Sequence, residues 1–379
     1  MSKAPTALTM PKFGLAMTEG KLASWTVQAG QTVKQGDELA DIETSKITSG
    51  YESPAGGVLR RQVAQAGETL PVGALIGVLA EAEATDAELD AFIKTFQEEQ
   101  APQAGEADAD SQAGGAPRPV EVGGYTLNVR EVGQGNGTPL LLVHGFGGDI
   151  SNWLRTQDAL AKHRKVIAFD LPGHGASSKT MQDASLAGLA KVAAGLLDAL
   201  AVPKAHIMGH SLGGGVALAL LRDAPGKVAS LTLIAPAGIG THVNAEFITG
   251  FTEAERNRAV QHELEKLVYN KALIGRKMVD AVVRARRLDG ARDALRAIAA
   301  ACFDNDRQRD ALLPVLEKAT VPVEVIWGQE DAILSAEAAK TLPNTVELHV
   351  LAESGHLPQM EKAAEVNQIV ESFLEKADS

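Results

Sequence analysis

The sequence predicts two domains of different class: a small all-β sandwich, then a mostly parallel sheet covered by helices and carrying a helical cap. Three observations carry this expectation. An internal repeat offset by 37 residues lies before residue 80, strand and helix signals alternate after Val120, and an acidic stretch separates the two regions. At 379 residues the chain accommodates a domain of about 250 residues with a small companion.

The repeat comes first. Gly20-Lys-Leu22 aligns with Gly57-Val-Leu59, Gln28-Ala29-Gly30 with Gln65-Ala66-Gly67, and Gly36 with Gly73. Each half reads as short Val/Leu/Ile-rich strands between Gly turns. Neither half is large enough to enclose a core, so the two are expected to pack face to face as a flattened barrel or sandwich. The segment Glu43-Thr44-Ser45-Lys46-Ile47-Thr48 joins them as an exposed hairpin with Lys46 near its tip.

Between Glu81 and Asp110 stand ten acidic residues and one lysine, Lys94, a local net of −9 out of −12 for the whole chain. Like charges repel and such a composition buries little, so residues 83–119 are expected to form mainly an extended, solvated linker. One exception lies within it. Leu89, Phe92, Ile93 and Phe96 fall at helical spacing behind a Thr85/Glu88 capping box, which predicts a short helix, docked or free.

Beyond the linker, strands are expected at Leu140–Val143, Val166–Phe169, His206–Met208, Leu231–Ile234, Val323–Trp327 and Val346–Val350. The segment Leu186–Leu200 reads as a helix between them. Residues 238–316 carry helical, Arg-containing sequence without a strand signal, as expected of a cap inserted into the sheet. The boundaries read are thus 5–82, 83–119 and 120–379.

Composition narrows the function classes. Lys+Arg 36 against Asp+Glu 48 argues against a general nucleic-acid binder. One cysteine, Cys302, excludes an internal disulfide framework and a Cys-based zinc cluster. The longest apolar run, Leu186 to Val202, is interrupted by Lys191 and Asp198, so no membrane span is expected. The N-terminal MSKAPTALTMPK has no hydrophobic signal core, and the expectation is a reduced, cytoplasmic protein.

The chemistry of the larger region centres on Gly209-His210-Ser211-Leu212-Gly213, which follows a strand and opens an Ala/Leu helix. Glycines at 209 and 213 fit a sharp strand-to-helix turn with Ser211 at its apex, where helix N–H groups can stabilise an oxyanion. Asp331 lies just past the strand Val323–Trp327, with Glu330 as a competing acid, and His356 follows the last strand. His144-Gly145-Phe146-Gly147-Gly148 and Asp170-Leu-Pro-Gly173-His174-Gly175 follow two earlier strands. His206 and His210 do not share a helix face, so no metal site is expected. His144 and His174 are expected to shape turns. Arg284, Arg286, Arg287, Arg292 and Arg296 read as a solvated helix face, with phosphate contact as the alternative.

These segments resemble the α/β-hydrolase superfamily from Val120 to Leu374, apart from the cap. The resemblance implies Ser211 as nucleophile, His356 as general base and acid, and Asp331 as the residue that orients the imidazole. It further implies the backbone N–H groups of Phe146 and Leu212 as the oxyanion donors. Residues 9–80 resemble a lipoyl domain of the biotinyl/lipoyl-like class, through Met10-Pro11-Lys12-Phe13-Gly14, Glu19-Gly20, the paired Gly30 and Gly67, and Glu43-Thr44-Ser45-Lys46. That resemblance implies lipoate amide-linked to Lys46. The family often has Asp where this chain has Ser45. The alternatives are a biotinyl-like carrier, which usually has methionines beside the lysine, or a purely structural barrel.

The combination resembles the acyltransferase subunits of acetoin dehydrogenase complexes. It implies acetyl carried on lipoyl-lysine and passed to coenzyme A. The implied partners are a thiamine-diphosphate-dependent acetoin-cleaving enzyme and a dihydrolipoyl dehydrogenase, with this chain a homo-oligomer within the complex. Unlike 2-oxoacid dehydrogenase acyltransferases, the chain has no His-x-x-x-Asp-Gly motif and no basic subunit-binding module in its linker. The alternative is a serine hydrolase acting on a thioester, ester or C–C bond, with the lipoyl domain as carrier or recruiter. A scaffold whose whole function lies in Lys46 is the third reading.

Overall fold

The computed structural model describes residues 5–11, 19–43, 48–82, 84–100 and 115–378. The chain divides into two compact units, residues 1–109 and 110–379.

The first unit is built from β1 (Thr6–Thr9), β2 (Glu19–Trp25), β3 (Thr32–Val33), β4 (Glu38–Glu43), β5 (Thr48–Glu52), β6 (Gly57–Gln62), β7 (Thr69–Pro71) and β8 (Leu75–Ala80). They form two four-stranded sheets, ordered β1-β8-β6-β3 and β5-β4-β2-β7. Leu8, Leu22, Leu39, Ile42, Leu59 and Leu79 are buried in one core cluster. The halves of the repeat are therefore not the two layers, as a face-to-face reading implies. Each sheet takes strands from both halves, and β2 stands in one sheet as β6 stands in the other. Interleaving gives each short strand hydrogen-bonded neighbours from the other half, which a sheet made of one half could not provide.

The expected linker helix extends over Asp86–Gln100. Thr85 Oγ1 accepts from the Glu88 N–H, and Glu88 Oε2 accepts from the Thr85 N–H at 2.8 Å, which closes the capping box. The helix is docked. Leu89 is fully buried against Leu75, Val78 and Ala80, so the outer face of β8 is covered and all six of its residues are buried. Arg61 pairs with Asp86 at 2.9 Å and holds the helix start. The extended stretch read from 83 is thus helical over its first part.

The second unit is an eight-stranded sheet. It opens with a hairpin of β9 (Arg118–Val122) and β10 (Tyr125–Val132), so strand structure begins two residues before Val120. Then follow β11 (Gly137–Val143), β12 (Arg164–Phe169), β13 (Ala205–His210) and β14 (Val228–Ile234). The cap contains a small hairpin, β15 (Phe303–Asp304) with β16 (Arg307–Gln308), where only helix was expected. β17 (Val323–Gly328) and β18 (Glu347–Leu351) complete the sheet in the order β18-β17-β14-β13-β11-β12-β10-β9. All pairings from β12 to β18 are parallel.

β13 and β17 are buried over their whole length, as strands covered on both faces must be. Helices Leu186–Ala199, Leu212–Asp223 and Ala363–Ala377 pack on the sheet. Helices Ala245–Glu253, Asn257–Glu265, Arg276–Arg286 and Ala291–Cys302 build the cap between β14 and β17. Among the described residues no helix is long and apolar enough to cross a membrane.

Candidate active site

Ser211 sits between the end of β13 and the helix Leu212–Asp223, with φ 53° and ψ −118°. This is a strained backbone for a residue with a Cβ, and its surroundings hold it there. Its N–H donates to Ile234 O and its carbonyl accepts from Ala237 N–H, both at 2.9 Å. Glycine is required on both sides by close approach. A Cβ at Gly213 would stand 2.1 Å from Val143 O, and one at Gly209 would stand 2.3 Å from Gly213 O. The buried strand and the helix can only converge this tightly without those side chains.

His356 follows β18, and its Nδ1 lies 2.7 Å from Asp331 Oδ2. Both side chains are almost wholly buried. Asp331 accepts further hydrogen bonds from Trp327 Nε1 and from the N–H groups of Ile333 and Leu334, which leaves it one orientation toward the imidazole. Glu330 turns elsewhere: its Oε2 accepts from the Ser354 N–H at 3.0 Å, bracing the turn before His356. His356 N–H donates to Leu267 O in the cap at 2.8 Å, and its carbonyl accepts from His210 Nε2 at 2.7 Å. His210 is thus a backbone clamp that sequence reasoning weighed only as a metal ligand. Its position directly before Ser211 was the available signal. Burial, then the neighbouring His356, holds its pKa well below the usual range, so it stays a neutral donor.

The loop after β11 supplies Phe146. Gly147 N–H donates to His174 Nε2 at 3.0 Å and Gly148 N–H to Gly145 O at 3.1 Å. The Phe146 N–H has no acceptor among the described residues. The Leu212 N–H, at the first position of its helix, precedes the intrahelical ladder and is likewise free. Burial pulls His174 down to about 3, so its ring is the neutral acceptor that this loop needs. His144 accepts from Leu171 N–H at 2.9 Å and is also lowered by burial. Both histidines therefore hold turns.

Ser211 and His356 line one cavity of about 270 Å³ beneath the cap, with Phe146, Phe247, Phe251 and Phe303 among its apolar walls. Gln359 lines it too, and both atoms of its buried amide lack a hydrogen-bond partner among the described residues. No motif pointed to Gln359.

Other expectations fall outside or change. Lys46 lies outside the described residues, as do Lys12, Phe13 and Gly14. The strands flanking Lys46 are placed: Glu43 pairs with Thr48, so β4 and β5 are joined by residues 44–47 alone. His206 is held by Ser230 and Asp378, and among the described residues no three His, Cys, Asp or Glu side chains gather around a common point. Burial pushes the Cys302 thiol up to about 12, far from a nucleophile's range.

The solvated Arg face is corrected at one position. Arg286 is buried, with its guanidinium 3.8 Å from the centre of the Phe251 ring and Nη1 donating to Ala254 O. Burial lowers its pKa to about 10. The apolar side of the cap helix rotates this arginine inward, whereas Arg292 and Arg296 pair with Glu255 and Glu253 at the surface.

Comparison with known proteins accords with this architecture. The α/β hydrolase fold family matches residues 138–363, and the biotin-requiring enzyme family matches residues 6–79. The chain is 47% identical to the dihydrolipoyllysine-residue acetyltransferase component of the acetoin cleaving system of Pseudomonas putida, over 97% of this chain and 98% of that protein. This chain belongs to that acetyltransferase family. The corresponding component of Cupriavidus necator is 40% identical over 97% of this chain and 96% of that protein. Among solved structures, a mutant of the meta-cleavage product hydrolase of Pseudomonas fluorescens IP01, complexed with acetates, superposes with a TM-score of 0.62 at 25% identity. That match covers 69% of this acetyltransferase-family chain and 98% of the hydrolase.

Proposed function

We propose that the larger domain moves an acetyl group from a thioester to the thiol of coenzyme A through a transient ester on Ser211. The observation that carries this reading is the pairing of a strained serine and an Asp-anchored histidine on one apolar cavity. Lipoate, amide-linked to Lys46, would supply the thiol on which the acetyl group arrives. Its proposed source is a thiamine-diphosphate-dependent enzyme that cleaves acetoin, and a dihydrolipoyl dehydrogenase would reoxidise the dithiol.

In the first half-reaction Ser211 Oγ attacks the thioester carbonyl carbon while His356 Nε2 takes the hydroxyl proton. Asp331 stabilises the imidazolium that forms, and the N–H groups of Phe146 and Leu212 receive the developing oxyanion. The C–S bond then breaks and the leaving sulfur takes the proton from His356. In the second half-reaction the coenzyme A thiol gives its proton to His356 and attacks the ester carbonyl. Collapse returns that proton to Ser211 and releases acetyl-coenzyme A. The phenylalanine walls of the cavity offer water no hydrogen-bond partner, which disfavours it there as the competing acceptor.

The likeness to a meta-cleavage product hydrolase favours a second reading, in which water resolves the ester. Product analysis separates the two. Full-length protein given acetyl-dihydrolipoamide and coenzyme A is expected to form acetyl-coenzyme A, whereas accumulation of free acetate would establish the hydrolase. Ser211→Ala should lose either activity while its Lys46 remains lipoylated, as read by intact mass. Undiminished transfer in that variant removes the serine route.

A further inference from the structure

The cap segment 266–279 (KLVYNKALIGRKMV) holds four cations and no acid, in a chain of net charge −12. Its apolar residues Leu267, Leu273, Ile274 and Met278 face the cavity that holds Ser211 and His356. Its cations Lys271, Arg276 and Lys277 are exposed, and Tyr269 is 52% exposed beside them. Leu154, 64% exposed, and Arg155 also line the cavity. Met360 and Glu361 connect the two sides: Arg155 Nη1 reaches Met360 O at 3.4 Å, and Tyr269 N–H donates to Glu361 Oε2 at 2.8 Å.

The acids near this lip accept hydrogen bonds, mostly from neutral donors, and keep their charge. Glu361 accepts from the N–H groups of Gly355, Tyr269 and Asn270, Asp149 from that of Ser151, and Glu265 from Gln261. Asp280 accepts from Asn257 and lies 3.8 Å from Arg276. Lys266 is taken by Glu263. Lys271 and Lys277 meet no acid among the described residues. The segment whose apolar residues line this side of the cavity thus carries two exposed cations without an acid partner among the described residues, Lys271 and Lys277, and an exposed Tyr269, a cationic rim beside a channel whose wall includes the unpartnered amide of Gln359.

We infer that this rim is the nucleotide-phosphate site of coenzyme A, with the pantetheine arm running inward past Gln359 toward Ser211. The chemistry matches at each level. Phosphates suit Lys and Arg, an adenine ring can stack on Tyr269, and the arm's secondary amides offer the donor and acceptor that the Gln359 amide lacks. A dihydrolipoyl arm has no phosphate, so the rim discriminates the acceptor thiol from the donor. The inference rests on the transfer reading for its biological purpose, but binding can be measured without turnover.

The test uses the lipoylated full-length chain with Ser211→Ala, titrated calorimetrically with coenzyme A and with pantetheine. Combined Lys271→Glu, Arg276→Glu and Lys277→Glu is expected to weaken coenzyme A binding about tenfold or more and to leave pantetheine binding unchanged. An equal charge reversal at the exposed Lys162, Lys204 and Lys318 is expected to change neither. The milder Gln set at the three rim positions should weaken coenzyme A in the same direction, which guards against loss of folding. Coenzyme A affinity that is absent in the parent, or unaltered by the rim substitutions, overturns the site. If the rim variants weaken binding as expected but the wild type yields only acetate, the transfer reading falls and the site stands.

Discussion

The two regions of this chain offer the residues proposed to react different settings. In the small sandwich Lys46, the proposed lipoyl site, falls in the sequence between β4 and β5, whose last described pair is Glu43 with Thr48. The larger domain sets Ser211 after the fully buried β13 and His356 after the largely exposed β18, yet encloses both side chains, with Ser211 8% and His356 2% exposed. A carrier lysine, the role proposed for Lys46, must be reachable by other proteins. A nucleophile needs fixed geometry and a dry surrounding, so it is built into packed, strained structure. Substitutions should therefore separate activity from stability in the first region and couple them to local geometry in the second.

The sharpest break is Lys46→Arg. It should abolish lipoylation, seen as a loss of the lipoyl mass, and with it all transfer from the chain's own arm. Transfer from free acetyl-dihydrolipoamide and the thermal midpoint should both remain at wild-type values. A lowered midpoint would contradict the separation of carrier from core.

Next comes Asp331→Asn. An amide cannot hold the imidazole in the same tautomer or stabilise its charge, so acetyl transfer should fall by about three to four orders of magnitude. Because Asp331 also accepts from Trp327, Ile333 and Leu334, a modest drop in midpoint should accompany it. Glu330→Gln should leave the rate within a few-fold of wild type.

A third test touches the buried sheet away from the site. Glu324 is fully buried in β17, where burial raises its pKa to about 8 while the Thr232 hydroxyl partly opposes the shift. Between pH 4.5 and about 8 the unfolded carboxyl is ionised and the folded one is not, so unfolding releases a proton and stability falls as pH rises. Below and above that window the contribution is level. Glu324→Gln should therefore gain little at pH 5 and about 4 kcal/mol at pH 8, measured by urea unfolding at both. An equal gain at the two pH values would remove the titration argument.

The smallest effect concerns the docked helix of the first unit. Leu89→Ala removes a fully buried anchor of that helix on β8 and should cost about 2–3 kcal/mol. The loss should show as faster amide exchange over residues 86–94 and spare the paired strands.

Much of the site was legible because its chemistry is local. The Gly209-x-Ser211-x-Gly213 spacing reports a turn so tight that side chains at its flanks would collide, and the strand-end positions of Asp331 and His356 follow from hydrophobic runs. Other features were not. The β9–β10 hairpin lacks the continuous apolar run of a buried strand because β9 alternates exposed and buried residues. The inward turn of Arg286 depends on which side of its helix the cap presents to Phe251, and the clamp by His210 depends on a residue 146 positions away.

By itself the sequence determined the two fold classes, the repeat, the turn at Ser211 and the order of the site residues, since each follows from short-range sterics or periodic hydrophobicity. Only tertiary structure decided how the repeat halves interleave, which acid meets His356, and that the apolar residues of a cation-bearing cap segment line the cavity. Those outcomes depend on packing between distant segments, whose free energy no local stretch of chain contains.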